Sequence, residues 1–167
     1  MTTLVITQSE RLVSDDPELR ISTLLGSCVA CCLWDPVAAV GGMNHMLIPP
    51  RASGGHFCGV NDMELLINDL LKLGAARTRL HAKIFGGAQM VSGLSGIGRA
   101  NSTFALKFLE RENIVCVAQS LGGDSARQVL FHPTSGTARQ RISREQPVEQ
   151  IVPPRSPTDS ASGLELF

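Results

Sequence analysis

The chain has 167 residues, with fifteen Lys or Arg against fifteen Asp or Glu, so its formal net charge is zero. That length favours one domain with a real core, and the lack of a basic field argues against nucleic acid or an anionic membrane as partner. Aromatic residues make up 4% of the chain and tyrosine is absent, which disfavours an RNA or sugar binder that works by stacking.

The N-terminus, Met-Thr-Thr-Leu-Val-Ile-Thr-Gln, lacks the basic start and sustained apolar region of a signal peptide. No run approaches the length of a membrane-spanning helix. The expectation is a cytoplasmic protein without membrane insertion. Five cysteines, an odd number without framework spacing, fit a reducing compartment.

Residues 2–7 read as a strand rich in β-branched types, and 14–17 (Ser-Asp-Asp-Pro) as a loop. Residues 20–25 form a strand that leads into a Gly26-Ser27 turn. Two apolar runs follow, 28–34 and 39–47, joined by an Asp35-Pro36 turn signal. They are predicted to be adjacent strands, the first carrying Cys28 and the second His45. Residues 51–59 read as a glycine-rich loop in which His56 is a solvated histidine. Asn61 with Glu64 resembles a capping box opening a helix, whose apolar stripe includes Leu66, Ile67 and Leu70. Gly74 is its C-terminal cap. A strand at 80–85 ends at Gly86-Gly87. A second helix runs from about Ser102 to Glu112 with Asn101 as cap and Phe104, Phe108 and Leu109 inward. Residues 114–119 form a strand, and 127–132 with 137–143 a hairpin. From about Arg144 prolines and serines dominate, so the domain is 1–143 and 144–167 is a disordered tail with a frayed end. Strands outnumber helices, and the first strands follow one another without a helix between them, which points to α+β.

The chemistry-bearing pair is Cys28 and His45. An imidazole can take a thiol's proton and so activate it as a nucleophile. Glycine at 26 lets the backbone turn sharply beside the thiol, and backbone N–H groups there could stabilise an oxyanion. Ser22 or Thr23, just upstream, could hold the imidazole in the required tautomer. Cys31 and Cys32 read as core. A zinc site on Cys28 and Cys31 is disfavoured, because residues three apart in a strand point to opposite faces. Gly93, Gly96 and Gly98 do not match the dinucleotide fingerprint, so neither a metal nor another cofactor is expected.

These segments resemble the bacterial chemoreceptor glutamine deamidase family (CheD type). The resemblance rests on Leu-Gly-Ser-Cys-Val-Ala at 25–30, Asp35-Pro36 and Gly-Gly-Met-Asn-His-Met-Leu-Ile-Pro at 41–49. Ala-Lys-Ile-Phe-Gly-Gly-Ala at 82–88, Ile97-Gly98, Asn101 and Gly122-Gly123 follow in order. It implies a layered α/β/β sandwich, two packed sheets with helices on one face. It implies Cys28 as nucleophile and His45 as base. The family's third residue, a threonine six positions before the cysteine, falls here on Ser22, with Thr23 one step closer. The implied substrate is the cytoplasmic helical region of methyl-accepting chemotaxis receptors, whose glutamines would become glutamates through a thioester, with methyl-ester hydrolysis as a side activity. The resemblance also implies association with a response-regulator phosphatase, so a non-catalytic chemotaxis adaptor is the alternative reading.

Overall fold

The computed structural model describes residues 1–48, 55–90, 96–143 and 164–167. Its strands are β1 (Thr2–Val5), β2 (Arg11–Ser14), β3 (Leu19–Leu25), β4 (Val29–Asp35), β5 (Val40–Asn44), β6 (His81–Gly86), β7 (Val115–Leu121), β8 (Ala126–Phe131), β9 (Ala138–Ser143) and β10 (Leu164–Leu166). Its helices are α1 (Gly55–Lys72) and α2 (Ile97–Arg111), with a 3-10 turn at Arg77–Arg79.

The apolar run at 28–34 has no polar alternation because β4 is buried on both faces. Val29, Cys31 and Leu33 point to one side and pack with Met63, Leu66, Ile67 and Leu70 of α1 and with Phe108 and Leu109 of α2. Ala30, Cys32 and Trp34 point to the other and meet Ile21, Val129 and Phe131. The result is three layers: helices, a sheet of order β2-β5-β4-β6-β7, and a sheet of order β1-β3-β8-β9-β10. This is the expected α+β sandwich. β4 runs antiparallel to both β5 and β6, and β8 runs antiparallel to β3 and β9.

Several local expectations are corrected. β2, whose four residues carry two of intermediate burial between exposed Arg11 and buried Ser14, was not anticipated; it pairs with β5. Helix α1 begins at Gly55, so residues 55–59 are helical rather than loop, and Asn61 lies exposed in the helix body instead of capping it. The interior glycine at 59 is tolerated because it faces the other helix: a Cβ there would fall 2.6 Å from the Phe104 ring. The side chain of His56 lies outside the described residues. Helix α1 closes as expected at Gly74 (φ 102°). The N–H of Gly74 donates to Leu71 O and that of Ala75 to Leu70 O, both at 3.1 Å, the paired bonds of a Schellman cap.

Helix α2 starts about one turn earlier than expected, after Gly96 in the left-handed region. Asn101 therefore sits inside the helix, fully buried. Of the expected tail, residues 144–163 lie outside the described residues. Leu164–Leu166 do not fray; they pair with β9, and the Phe167 ring meets Phe85 edge-on at 5.4 Å. The tail's composition hid a short apolar strand at its end.

Candidate active site

The chain passes from one sheet to the other between β3 and β4, across Gly26, Ser27 and Cys28. All three carbonyls of this crossover are held. Gly26 O accepts from Ala88 N at 3.0 Å, Cys28 O from Gly87 N at 2.9 Å, and Ser27 O from the side-chain amide of Asn101 at 2.8 Å. The glycines that end β6 make this approach possible. A Cβ at Gly86 (φ 115°) would stand 2.2 Å from Cys28 O, so only glycine fits that position. The Gly86-Gly87 pair thus cradles the loop carrying Cys28.

His45 follows the last residue of β5. Val29 and Met46 form an isolated bridge, with N–H to O distances of 3.0 and 2.8 Å. The register of β4 and β5 continues through it, Cys32 facing Met43 and Val29 facing Met46. Cys28 and His45 are therefore diagonal neighbours on one face, about 7 Å apart at the backbone, within reach of an imidazole. That face is the one between the sheets: Cys28 belongs to the inter-sheet cluster, whereas Val29 and Met46 belong to the helix-side cluster. Cys31 also belongs to the helix side, so Cys28 and Cys31 point apart.

The hydroxyl beside the imidazole is that of Thr23, and that of Ser22 is turned away. Thr23 Oγ1 lies 2.7 Å from His45 Nδ1 and donates to Ile6 O at 2.8 Å. A hydroxyl has one proton to give. With that proton on Ile6 O, the oxygen must accept from the imidazole. The hydrogen-bond network thus assigns the proton to Nδ1 and leaves Nε2 as the basic nitrogen. Ser22, one residue earlier, alternates to the opposite face of β3. Its hydroxyl meets Gln128 Nε2 at 3.4 Å, away from His45. Residue 22 matches the family's threonine by count, but strand alternation brings residue 23 to the imidazole.

Burial lowers the His45 pKa from 6.5 to about 4, against a weaker opposing pull from Glu10. The residue is 6% exposed, and its imidazole is neutral at neutral pH. Burial raises the Cys31 and Cys32 thiols, which keeps them protonated and inert. Among the described residues, no group of three or more His, Cys, Asp or Glu side chains is placed to hold a metal ion.

Asn101 is the residue that sequence reasoning misread. It uses both ends of its amide, donating to Ser27 O and accepting from Ile48 N at 3.0 Å. The available signal was a polar residue on the inward stripe of α2, in step with buried Ala105 and Phe108.

Comparisons with known proteins bear on the family of the chain. Residues 53–142 match the family described as CheD chemotactic sensory transduction. A Caulobacter vibrioides protein named probable chemoreceptor glutamine deamidase CheD is 46% identical, over 97% of this chain and 91% of its own. An Acidiphilium cryptum protein of the same name is 49% identical over 97% and 92%. Among solved structures, Bacillus licheniformis hypothetical protein YfiH aligns with a TM-score of 0.45 at 16% identity, over 66% of this chain and 49%, about half, of that one. The chain belongs to the CheD family.

Proposed function

We propose that this protein is a protein-glutamine deamidase that converts glutamine side chains of chemotaxis receptors to glutamate, with Cys28 as nucleophile, His45 as base and Thr23 as the orienting hydroxyl. The observation that carries this reading is the Ile6–Thr23–His45 relay. It leaves Nε2 unprotonated on the sheet face that bears Cys28. The names of the relatives supply the substrate class.

In this mechanism His45 Nε2 takes the Cys28 proton. The thiolate attacks the glutamine Cδ, and the carbonyl becomes a tetrahedral oxyanion, stabilised by backbone N–H groups of the crossover. The imidazolium returns its proton to the departing nitrogen, ammonia leaves and a thioester remains. A water then gives a proton to Nε2 and attacks the thioester. Collapse releases glutamate and the Cys28 thiolate, which regains the proton. A receptor methyl ester would follow the same path with methanol as leaving group. The substrate region is the helical cytoplasmic part of the receptor, and the protein would act from the cytoplasm.

The test is mass spectrometry of a receptor cytoplasmic fragment incubated with wild type or Cys28→Ala. Amide-to-acid conversion with wild type alone supports the deamidase. No conversion with either folded protein overturns it and turns attention to the adaptor role, assayed as binding to a response-regulator phosphatase.

A further inference from the structure

We infer that Asn101 is a positioning residue that sets the geometry of Cys28 against His45, an inference that rests on the proposed roles of that pair. It ties together two segments just beyond their Val29–Met46 bridge. One is the residue just before the nucleophile, through Ser27 O at 2.8 Å. The other is the residue three beyond the base, through Ile48 N at 3.0 Å.

Of the three carbonyls in the crossover, two are held by backbone donors and one by a side chain, that of Asn101. A peptide group is planar and trans. The Ser27 carbonyl and the Cys28 N–H are opposite ends of one such plane, so fixing the first fixes the direction of the second. Asn101 thereby aims the N–H nearest the thiol, where charge develops on the substrate oxygen. The side chain is completely buried.

The helix turn around Asn101 is seated to match. Gly98 lies so close to the β6 end that a Cβ there would stand 2.4 Å from Gly87 O. Gly87 in turn donates to Cys28 O. Ser102 Oγ donates to Gly98 O at 2.9 Å rather than to the site. The first turns of α2 are thus a template against which the Cys28 loop and the chain after β5 are both set, and Asn101 is a polar link to each.

The experiment compares wild type, Asn101→Ala and Asn101→Asp, with folding checked by circular dichroism at the assay temperature. Two readouts are taken: kcat and KM on the receptor fragment, and the rate at which Cys28 is alkylated by iodoacetamide, followed on its own peptide. Displacement of reacting groups by about 1 Å costs on the order of 100-fold. Asn101→Ala is expected to lose about that much in kcat with KM within about twofold. Its Cys28 alkylation should slow by about tenfold.

The aspartate variant carries the sharper signature. Ionised, it sets a carboxylate against the Ser27 carbonyl. Protonated, it can donate to Ser27 O and accept from Ile48 N as asparagine does. Its activity relative to wild type should therefore climb as pH falls, while the Asn101→Ala ratio stays flat. Folded variants with kcat and alkylation within about twofold of wild type would overturn the inference, as would an Asn101→Asp ratio that does not change with pH. If wild type converts no glutamine but Cys28 alkylation responds as described, the positioning role stands and the substrate reading fails.

Discussion

The two ends of β4 are pinned by opposite means. At Asp35 the support is ionic. The carboxylate is fully buried, takes the Arg79 guanidinium at 2.9–3.1 Å, and accepts from the N–H groups of Val37, Ala38 and Ala76 at 2.8–3.1 Å. At Cys28 the supports are neutral: the glycine-rich end of β6 and the amide of Asn101. A buried charge shifts the proton affinity of its neighbours. The end that would move protons is framed by these neutral groups, and Glu10, a charge that acts on His45, is exposed. The turn end has no such restriction and uses the stronger device.

Asp35→Ala tests that contrast with the largest effect. It orphans three backbone N–H groups, while half-exposed Arg79 regains water. The expected loss is about 4 kcal/mol of folding stability, from the amides more than the ion pair. Urea denaturation measures it. Below the midpoint, kcat should stay within about twofold of wild type, because the damage is at the far end of the strand. A kcat loss beyond tenfold in folded protein would mean the two ends are coupled.

Acid separates the ends next. His45 has a lowered pKa, so its unfolded form binds a proton that the folded form refuses. Stability is whole above 6.5 and declines as pH falls toward the folded value of about 4, by about 3 kcal/mol at pH 4. Burial pushes the Asp35 carboxyl up, but Arg79 and the three N–H groups outweigh it and hold it well below its ordinary 3.8. Its stabilisation is present above that ordinary value and is lost only in stronger acid. The contribution of His45 should therefore be lost before that of Asp35. Denaturation curves from pH 7 to 4 should show the decline in wild type and a smaller slope in His45→Gln. The remaining slope in the variant comes in part from His132, whose pKa is also lowered. Equal slopes would show that His45 titrates normally.

Thr23→Val removes the hydroxyl at nearly constant volume. The imidazole loses its acceptor, and the Ile6 carbonyl its donor. An expected fall of about 30-fold in kcat, with most of it restored by Thr23→Ser, would mark the relay as the orienting device. Serine that fails to rescue would mean the methyl, not the hydroxyl, was needed.

The layers and most strand positions were legible because apolar runs and turn residues mark them directly. The run at 28–34 could only be a doubly buried strand or a core segment, and β4 is the former. The capping signals misled. Asn61-Glu64 is a good local cap sequence, but burial against Phe104 carries the helix back through Gly59. Asn101 looked like a cap for the same reason, and tertiary demand moved it inside. That Cys28 and His45 sit on adjacent runs of chain was legible, because the Asp35-Pro36 turn joins two apolar runs. The choice between Ser22 and Thr23 was not, since a two-residue period in β3 decides it and no residue type in the run marks which face is inward.

Ser22→Ala is accordingly the smallest expected effect and the most direct check on that choice. Ser22 lies on the outer face of β3, fully buried, and its hydroxyl has a long 3.4 Å contact from Gln128. Its removal leaves Gln128 able to turn toward Arg141, which already reaches its amide oxygen at 3.4 Å. Stability should change by about 0.5 kcal/mol or less, and kcat on the receptor fragment by less than about twofold. A tenfold loss in kcat at unchanged stability would return the orienting role to residue 22. It would require β3 to present that hydroxyl inward, against the alternation that sets Thr23 beside His45.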